Sequence, residues 1–235
     1  MSPFQPSTTA TSYPAALSAY MRQVYLWMSI GMVITGLVAW SVANTPALRA
    51  AVLGNSVVMI VLIIAQFGLV IALSAAIHKF SSSMATFLFA LYSALTGATV
   101  SSIFLVYSLG SIASTFMVTA GTFFVMSLYG TITKRDLTGL GNFLFMGLIG
   151  IIIAMIVNMF IKNGTMNLII CCLGVLIFTG LTAYDTQRIR AFGADAPLDD
   201  PAAMRKGAIL GALTLYLDFI NMFLMMLQLF GGNRD

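Results

Sequence analysis

Residues 207–230 read GAILGALTLYLDFINMFLMMLQLF. At 1.5 Å per residue, a helix over this stretch crosses the roughly 30 Å apolar core of a bilayer. It contains one charged side chain, Asp218, eleven residues after Gly207 and so about 16 Å into the helix, near its middle. Gly207, Gly211, Thr214, Asp218, Asn221 and Met225 follow at spacings of three and four, and Gln228 continues the series. They form one stripe on a helix, small residues permitting close approach and polar ones shunning lipid. A stripe of this kind predicts a helix turned toward other helices.

The rest of the chain has the same character. Of 235 residues, 60% are hydrophobic and 8% charged, against about a quarter charged in a soluble domain. The charges are eleven Lys or Arg and seven Asp, with no Glu. This excludes a soluble enzyme, a nucleic-acid reader and a disordered scaffold, and leaves a bilayer as the solvent and partner. The net charge of +4 comes from scattered basic residues, so no nucleic-acid partner is expected.

Six more apolar stretches, near 25–43, 56–77, 84–107, 111–133, 140–161 and 166–187, are long enough to span. The fold expected is an all-α integral membrane protein with seven transmembrane helices. Residues 25–230 form a single transmembrane domain, with a flexible polar tail at 1–24 and a short C-terminal tail at 231–235. All six prolines fall outside the spans, so none is kinked by proline. The longest connection is 188–206. Trp27 and Trp40, near opposite ends of the first span, are expected as interfacial anchors. Adjacent Cys171 and Cys172 point apart on a helix and are expected to pack, without a disulfide or metal.

With the N-terminus in the cytoplasm, the inner side collects Arg22, Lys79, Lys134, Arg135, Arg188, Arg190, Arg205 and Lys206, and the outer side Arg49, Lys162 and Arg234. Eight against three favours the N-terminus inside, and seven spans put the C-terminus outside.

Two acids remain at depth. Asp218 lies near mid-membrane and Asp185 near the inner end of the sixth span, each at a cost of at least about 2.5–3.5 kcal/mol on insertion scales. Each is either a functional group or a protonated lock between helices. Thr182, Asp185 and Arg188 share a face of the sixth span, and Ser93, Gly97 and Ser101, with Thr96 and Thr99 nearby, lie in the third. Singly these are glue; together Ser93, Thr96, Ser101, Thr182, Thr214 and Asn221 are expected to line a hydrated path. If Asp185 and Asp218 face each other, repulsion disfavours ionising both and one proton is shared. Such a pair is a proton sensor, and losing its proton pushes two helices apart. Their oxygens also suit Ca²⁺, but two carboxylates fall short of its six to eight ligands, which fits passage better than storage.

The segments Leu181-Thr-Ala-Tyr-Asp185-Thr-Gln-Arg-Ile189 and Leu215-Tyr-Leu-Asp218-Phe-Ile-Asn-Met-Phe223 resemble the sixth and seventh helices of the Bax inhibitor-1 family, also called the transmembrane BAX inhibitor motif family. Span count, order and short connections look like its bacterial branch. The resemblance implies a seventh helix at the centre of the other six. It also implies a pH-sensitive calcium leak in a bacterial inner membrane, governed by two aspartates that match Asp185 and Asp218. In bacterial relatives a basic residue at the inner end of the second helix engages the pair. Here that region reads Ile77-His78-Lys79, without an Arg. His78, whose charge changes near neutral pH, Lys79 and Arg188 are the candidates, and His78 snorkelling beside Lys79 is the plainer alternative. Some bacterial relatives are also associated with regulating a membrane-bound AAA protease.

Other chemistries fit less well. An intramembrane aspartyl protease would share Tyr184-Asp185 but needs Gly-x-Gly-Asp at its second aspartate, where this chain has Leu215-Tyr216-Leu217. The lone His78 has no Gly-x-Ser-x-Gly context, and the seventh span holds no Lys for retinal. No enzyme activity and no resident cofactor are expected, Ca²⁺ being the transported ion. A proton-coupled transporter and a non-conducting regulator of a membrane protease or stress response stand as alternatives, as do monomer and homo-oligomer.

Overall fold

The computed structural model describes residues 12–195 and 200–232. They fold into helices α1 (Ser12–Asn44), α2 (Pro46–Val52), α3 (Ser56–Ala76), α4 (Ser82–Val100), α5 (Ile103–Val106), α6 (Leu109–Ile132), α7 (Thr138–Ile161), α8 (Gly164–Asp195) and α9 (Pro201–Phe230), with a 3₁₀ turn at Ile77–Lys79 after α3. Seven helical stretches are long and apolar enough to cross a membrane: α1, α3, α4 continued by α5, α6, α7, α8 and α9. The chain is therefore an all-helical integral membrane protein, as composition dictates.

Side-chain caps set several boundaries. The Asn55 side chain accepts from the amides of Val57 and Val58, Ser81 from Met84, Ser108 from Ser111, and Asp200 from Ala202 and Ala203. Pro46 and Pro201 occupy first helical turns, where a missing N–H costs nothing. Beyond the spans, the Thr138 amide donates to Asp136 Oδ1 at 2.8 Å, and these bonds from Thr138 hold the Asp136 carboxyl below the usual carboxylate range. Replacing Asp200 with Ala should cost about 1 kcal/mol in detergent unfolding, because two amides at the start of α9 lose their acceptor.

Two boundaries depart from the sequence expectation. The tail expected at 1–24 is helical from Ser12, and Tyr20, Met21 and Val24 are buried. Leu17, Tyr20, Met21, Val24 and Met28 recur at helical spacing and pack over the end of α8 and the start of α9. Tyr20 lies over Gly193, where a Cβ would run into its ring, and beside Gly207, where a Cβ would stand 2.9 Å from the Phe192 ring. Likewise α8 continues to Asp195, so the expected connection 188–206 shortens to 196–200. Residues 1–11, with Pro3 and Pro6, as well as Pro197, Asp199 and residues 233–235, which include Arg234, lie outside the described residues.

The last helix forms the axis. In its most apolar window 72% of the residues are buried, against 6% in the α3 window and 11% in that of α7. Ile209, Leu213, Leu215, Tyr216, Met222 and Leu227, which point in different directions around α9, are all enclosed. Helices α1, α4, α6 and α8 pack on α9, while α3 leans on α4 and α7 on α8. The lipid-facing sides of α3 and α7 expose Ile64, Phe67, Phe143 and Phe160. Two close approaches hold the inner helices together. A Cβ on Gly97 of α4 would lie 2.6 Å from the Thr35 carbonyl oxygen of α1, and one on Gly130 of α6 would run into the Ala183 carbonyl of α8.

The two ends of the bundle are also tied. At one end Gln187 Nε2 donates to the Arg135 carbonyl (2.8 Å), Arg190 Nη1 to that of Thr131 (2.9 Å) and Ser82 Oγ to that of Ala202 (3.4 Å). This end gathers Arg22, Lys79, Lys134, Arg135, Arg188, Arg190, Arg205 and Lys206. At the other, the Ser108 amide donates to the Gly232 carbonyl (3.2 Å) and Asn167 Nδ2 to Gln228 Oε1 (3.4 Å). Trp40 is exposed there, as an interfacial anchor would be. Trp27 instead is half-buried beneath the Arg205 guanidinium, 5.5 Å from ring centroid to Cζ.

Candidate functional site

Helices α8 and α9 run antiparallel and interlock along their length. Gly211 packs on Ile189 and Val24, Thr179 reaches Met222 Sδ at 3.5 Å, and Cys171 Sγ reaches Gln228 Oε1 at 3.5 Å. The stripe read from the sequence thus lies in the α8–α9 seam. Within it the Asp185 and Asp218 side chains come within hydrogen-bonding reach of each other. Both are buried, at 8% and 5% exposure. Asp218 Oδ2 is fully enclosed and has no hydrogen-bond partner among the described residues. Two carboxylates cannot bond to each other, since neither has a proton to donate. One proton between them converts the contact into a hydrogen bond and satisfies the orphaned oxygen.

The charged neighbour acting on Asp185 is Arg188, exposed one turn along α8. His78 and Lys79 are exposed on the 3₁₀ turn after α3, which packs near the start of α9. At the residue next to Asp185, the Thr186 hydroxyl is 3.2 Å from Ser127 Oγ, which is hydrogen-bonded to the Tyr25 hydroxyl, tying α8 to α6 and α1.

The polar residues expected to line a path are satisfied closer to home. Thr182 donates to the Phe178 carbonyl, Thr214 to Leu210, Asn221 to Leu217, Ser93 to Phe89, Thr96 to Tyr92 and Ser101 to Ala98, each within its own helix. Two surface grooves, of about 750 and 780 Å³, include neither aspartate in their linings. The pair is sealed in this conformation. Cys171 is buried as expected, but Cys172 faces outward, and no group of three His, Cys, Asp or Glu capable of holding a metal exists among the described residues.

One cluster escaped the sequence reading. The Tyr216 hydroxyl, two residues before Asp218, lies 2.6 Å from Thr35 Oγ1, whose one proton lies within reach of the Gly31 and Ser93 carbonyls, each at 2.9 Å. Phe89 and Tyr92 set their rings edge-on to Tyr216. Thr96 Oγ1, which bonds to the Tyr92 carbonyl, also lies 3.3 Å from Gln66 Oε1 of α3. The available signals were Thr35 and Gln66, isolated polar residues inside apolar runs.

Six spanning helices around a buried, acid-bearing seventh, α9, define an integral membrane bundle. The chain belongs to the Bax inhibitor-1 family: the family profile described as "Inhibitor of apoptosis-promoting Bax1" matches residues 17–235. The inner membrane protein YbhL of Escherichia coli K12 is 53% identical over 234 residues, covering 100% of both chains. A protein of Borreliella burgdorferi is 48% identical over 217 residues, 92% of this chain and 93% of the relative. One from Deinococcus radiodurans is 38% identical over 216 residues, 92% and 91% of the two chains.

Proposed function

We propose that this protein is a pH-sensitive cation leak pathway, with Ca²⁺ as the passing ion, gated by Asp185 and Asp218. The observation that carries the reading is the enclosed, partnerless Asp218 Oδ2 set against the Asp185 carboxyl. With one proton between them the seam between α8 and α9 is closed. Removing that proton places two like charges across the seam and drives the helices apart. The opened pair offers oxygen ligands to a hard cation, too few to trap it. Arg188, one turn away, is the basic partner that this arrangement favours over His78 and Lys79. The protein sits in the inner membrane, in keeping with the name of its relative YbhL, with the N-terminus cytoplasmic so that the basic end faces inward. It performs no catalysis and needs no resident cofactor.

The test is Ca²⁺ entry into dye-loaded liposomes carrying the purified protein, from mildly acidic to alkaline pH. Flux above that of empty liposomes should rise with pH, since the proton is lost as pH increases. Flux no greater than in empty liposomes overturns the leak.

A second reading is favoured by Thr182, Thr214 and Asn221, each of which donates to a carbonyl of its own helix and none of which bonds across the seam in doing so. The pair would then lock the helices of a non-conducting regulator. Co-purification with a membrane-bound AAA protease, together with absent flux, would establish that alternative.

A further inference from the structure

The groove of about 750 Å³ at the basic end lies between α1 and the ends of α6 and α8. Its walls are apolar, from Leu17, Met21 and Leu26, and two arginines from different helices, Arg22 of α1 and Arg190 of α8, stand in its lining. The Arg190 guanidinium is fixed there by its 2.9 Å bond to the Thr131 carbonyl, which occupies one of its five N–H donors. Both arginines are exposed. Leu26 lies four residues beyond Arg22, about 6 Å deeper along α1. Two cations at headgroup depth above an apolar channel match one class of molecule in both chemistry and layout.

We infer that this groove binds one anionic phospholipid, its phosphate held by Arg22 and Arg190 and an acyl chain laid along α1 beside Leu26. The charge balance selects the occupant. No carboxylate is among the lining residues, so the ammonium of a zwitterionic lipid has no counterpart, whereas a net negative headgroup meets two guanidinium groups. Residues 1–11 of the chain, which precede α1, carry no charged side chain and so bring no anionic side chain to the arginines. The site is separate from the aspartate pair and does not depend on what that pair does.

Native mass spectrometry of the full chain, released from a neutral detergent, reads the bound lipid directly. Phosphatidylglycerol and phosphatidylcholine with the same acyl chains are the probes. One phosphatidylglycerol should be retained in preference to phosphatidylcholine. Arg22→Gln and Arg190→Gln should each weaken retention about fivefold, and the double variant about 25-fold, at the scale of one basic residue near a membrane surface. Arg49→Gln, at the opposite end, should leave retention unchanged. Arg22→Gln alone keeps the test decisive if losing the Arg190 bond unsettles the bundle. Equal retention of both lipids, wild-type retention in the Arg22→Gln protein, or an equal loss from Arg49→Gln would overturn the site. So would a gain on deleting residues 2–11, which would assign the groove to the chain's own N-terminus.

Discussion

Reconstituted in liposomes, the Asp218→Asn protein is expected to pass Ca²⁺ at alkaline pH at least about tenfold more slowly than wild type, and to do so without responding to pH. Two carboxylates about 4 Å apart repel by about 4 kcal/mol at an effective dielectric constant near 20, nearly three decades in an opening equilibrium. Asparagine at 218 removes one of the two charges for good. Its amide can donate to the Asp185 carboxylate, so the closed seam survives at every pH. Asp185→Asn should behave alike, because repulsion needs both partners. The direction is set by the chemistry: raising the pH removes the proton, creates the repulsion and opens the wild type. Either variant responding to pH as wild type does would refute the gate. Variants that lose thermal stability with no change in flux would mark the pair as a lock.

Gly130→Ala should destabilise the bundle by about 1–3 kcal/mol, and Gly130→Leu by more, because both overfill a contact with no slack. The obstruction is backbone: a Cβ at 130 runs into the Ala183 carbonyl oxygen and stands 2.9 Å from its carbon. Helix α6 must then retreat from α8 two residues from Asp185, which disturbs the Ser127–Thr186 contact as well. Gly121 of the same helix supplies the control. A Cβ there meets nothing within 4 Å, so Gly121→Ala should be neutral or slightly stabilising through helix propensity. Thermal unfolding in detergent separates the two. Equal stability of the Gly130→Ala and wild-type proteins would mean that α6 and α8 are not tightly apposed.

Spans were legible because nothing but a bilayer suits runs such as 56–77 and 140–161. Which helix would be central was less so, since burial in a membrane inverts the rule for soluble proteins. The most apolar helix, α3, has a mean hydropathy of 2.8 and faces lipid, whereas α9, at 1.8, is enclosed. Lipid rewards apolar surface as well as a protein interior does, so polarity and small residues mark the inside. The stripe from Gly207 to Met225 carried that mark. The ordering is not strict, as α6 is less apolar still and only 17% of its window is buried. What a search for long apolar runs could not reveal was structure beyond the bilayer. The start of α1 is too polar to span, yet Tyr20 and Val24 are among the most buried side chains of the chain. Its signal was the three-and-four spacing from Leu17 to Met28, which indicates a helical face wherever it lies. For the aspartates, spacing gave depth and face, but their mutual approach depended on the register of α8 against α9, which no local pattern encodes.

The axial place of α9 also has a bearing on how the protein is made. The 30 residues of α9 leave the ribosome after the other six spans. Until they arrive, α1, α4, α6 and α8 lack the helix they pack on, and Asp185 lacks Asp218. Synthesis runs from the N-terminus at about 5–20 residues per second, so the incomplete intermediate persists for seconds on every chain produced. A ribosome that stops before residue 218 leaves a product in which Asp185 lacks the carboxyl within reach of it. Losing α9 therefore costs the bundle the one helix on which α1, α4, α6 and α8 all pack.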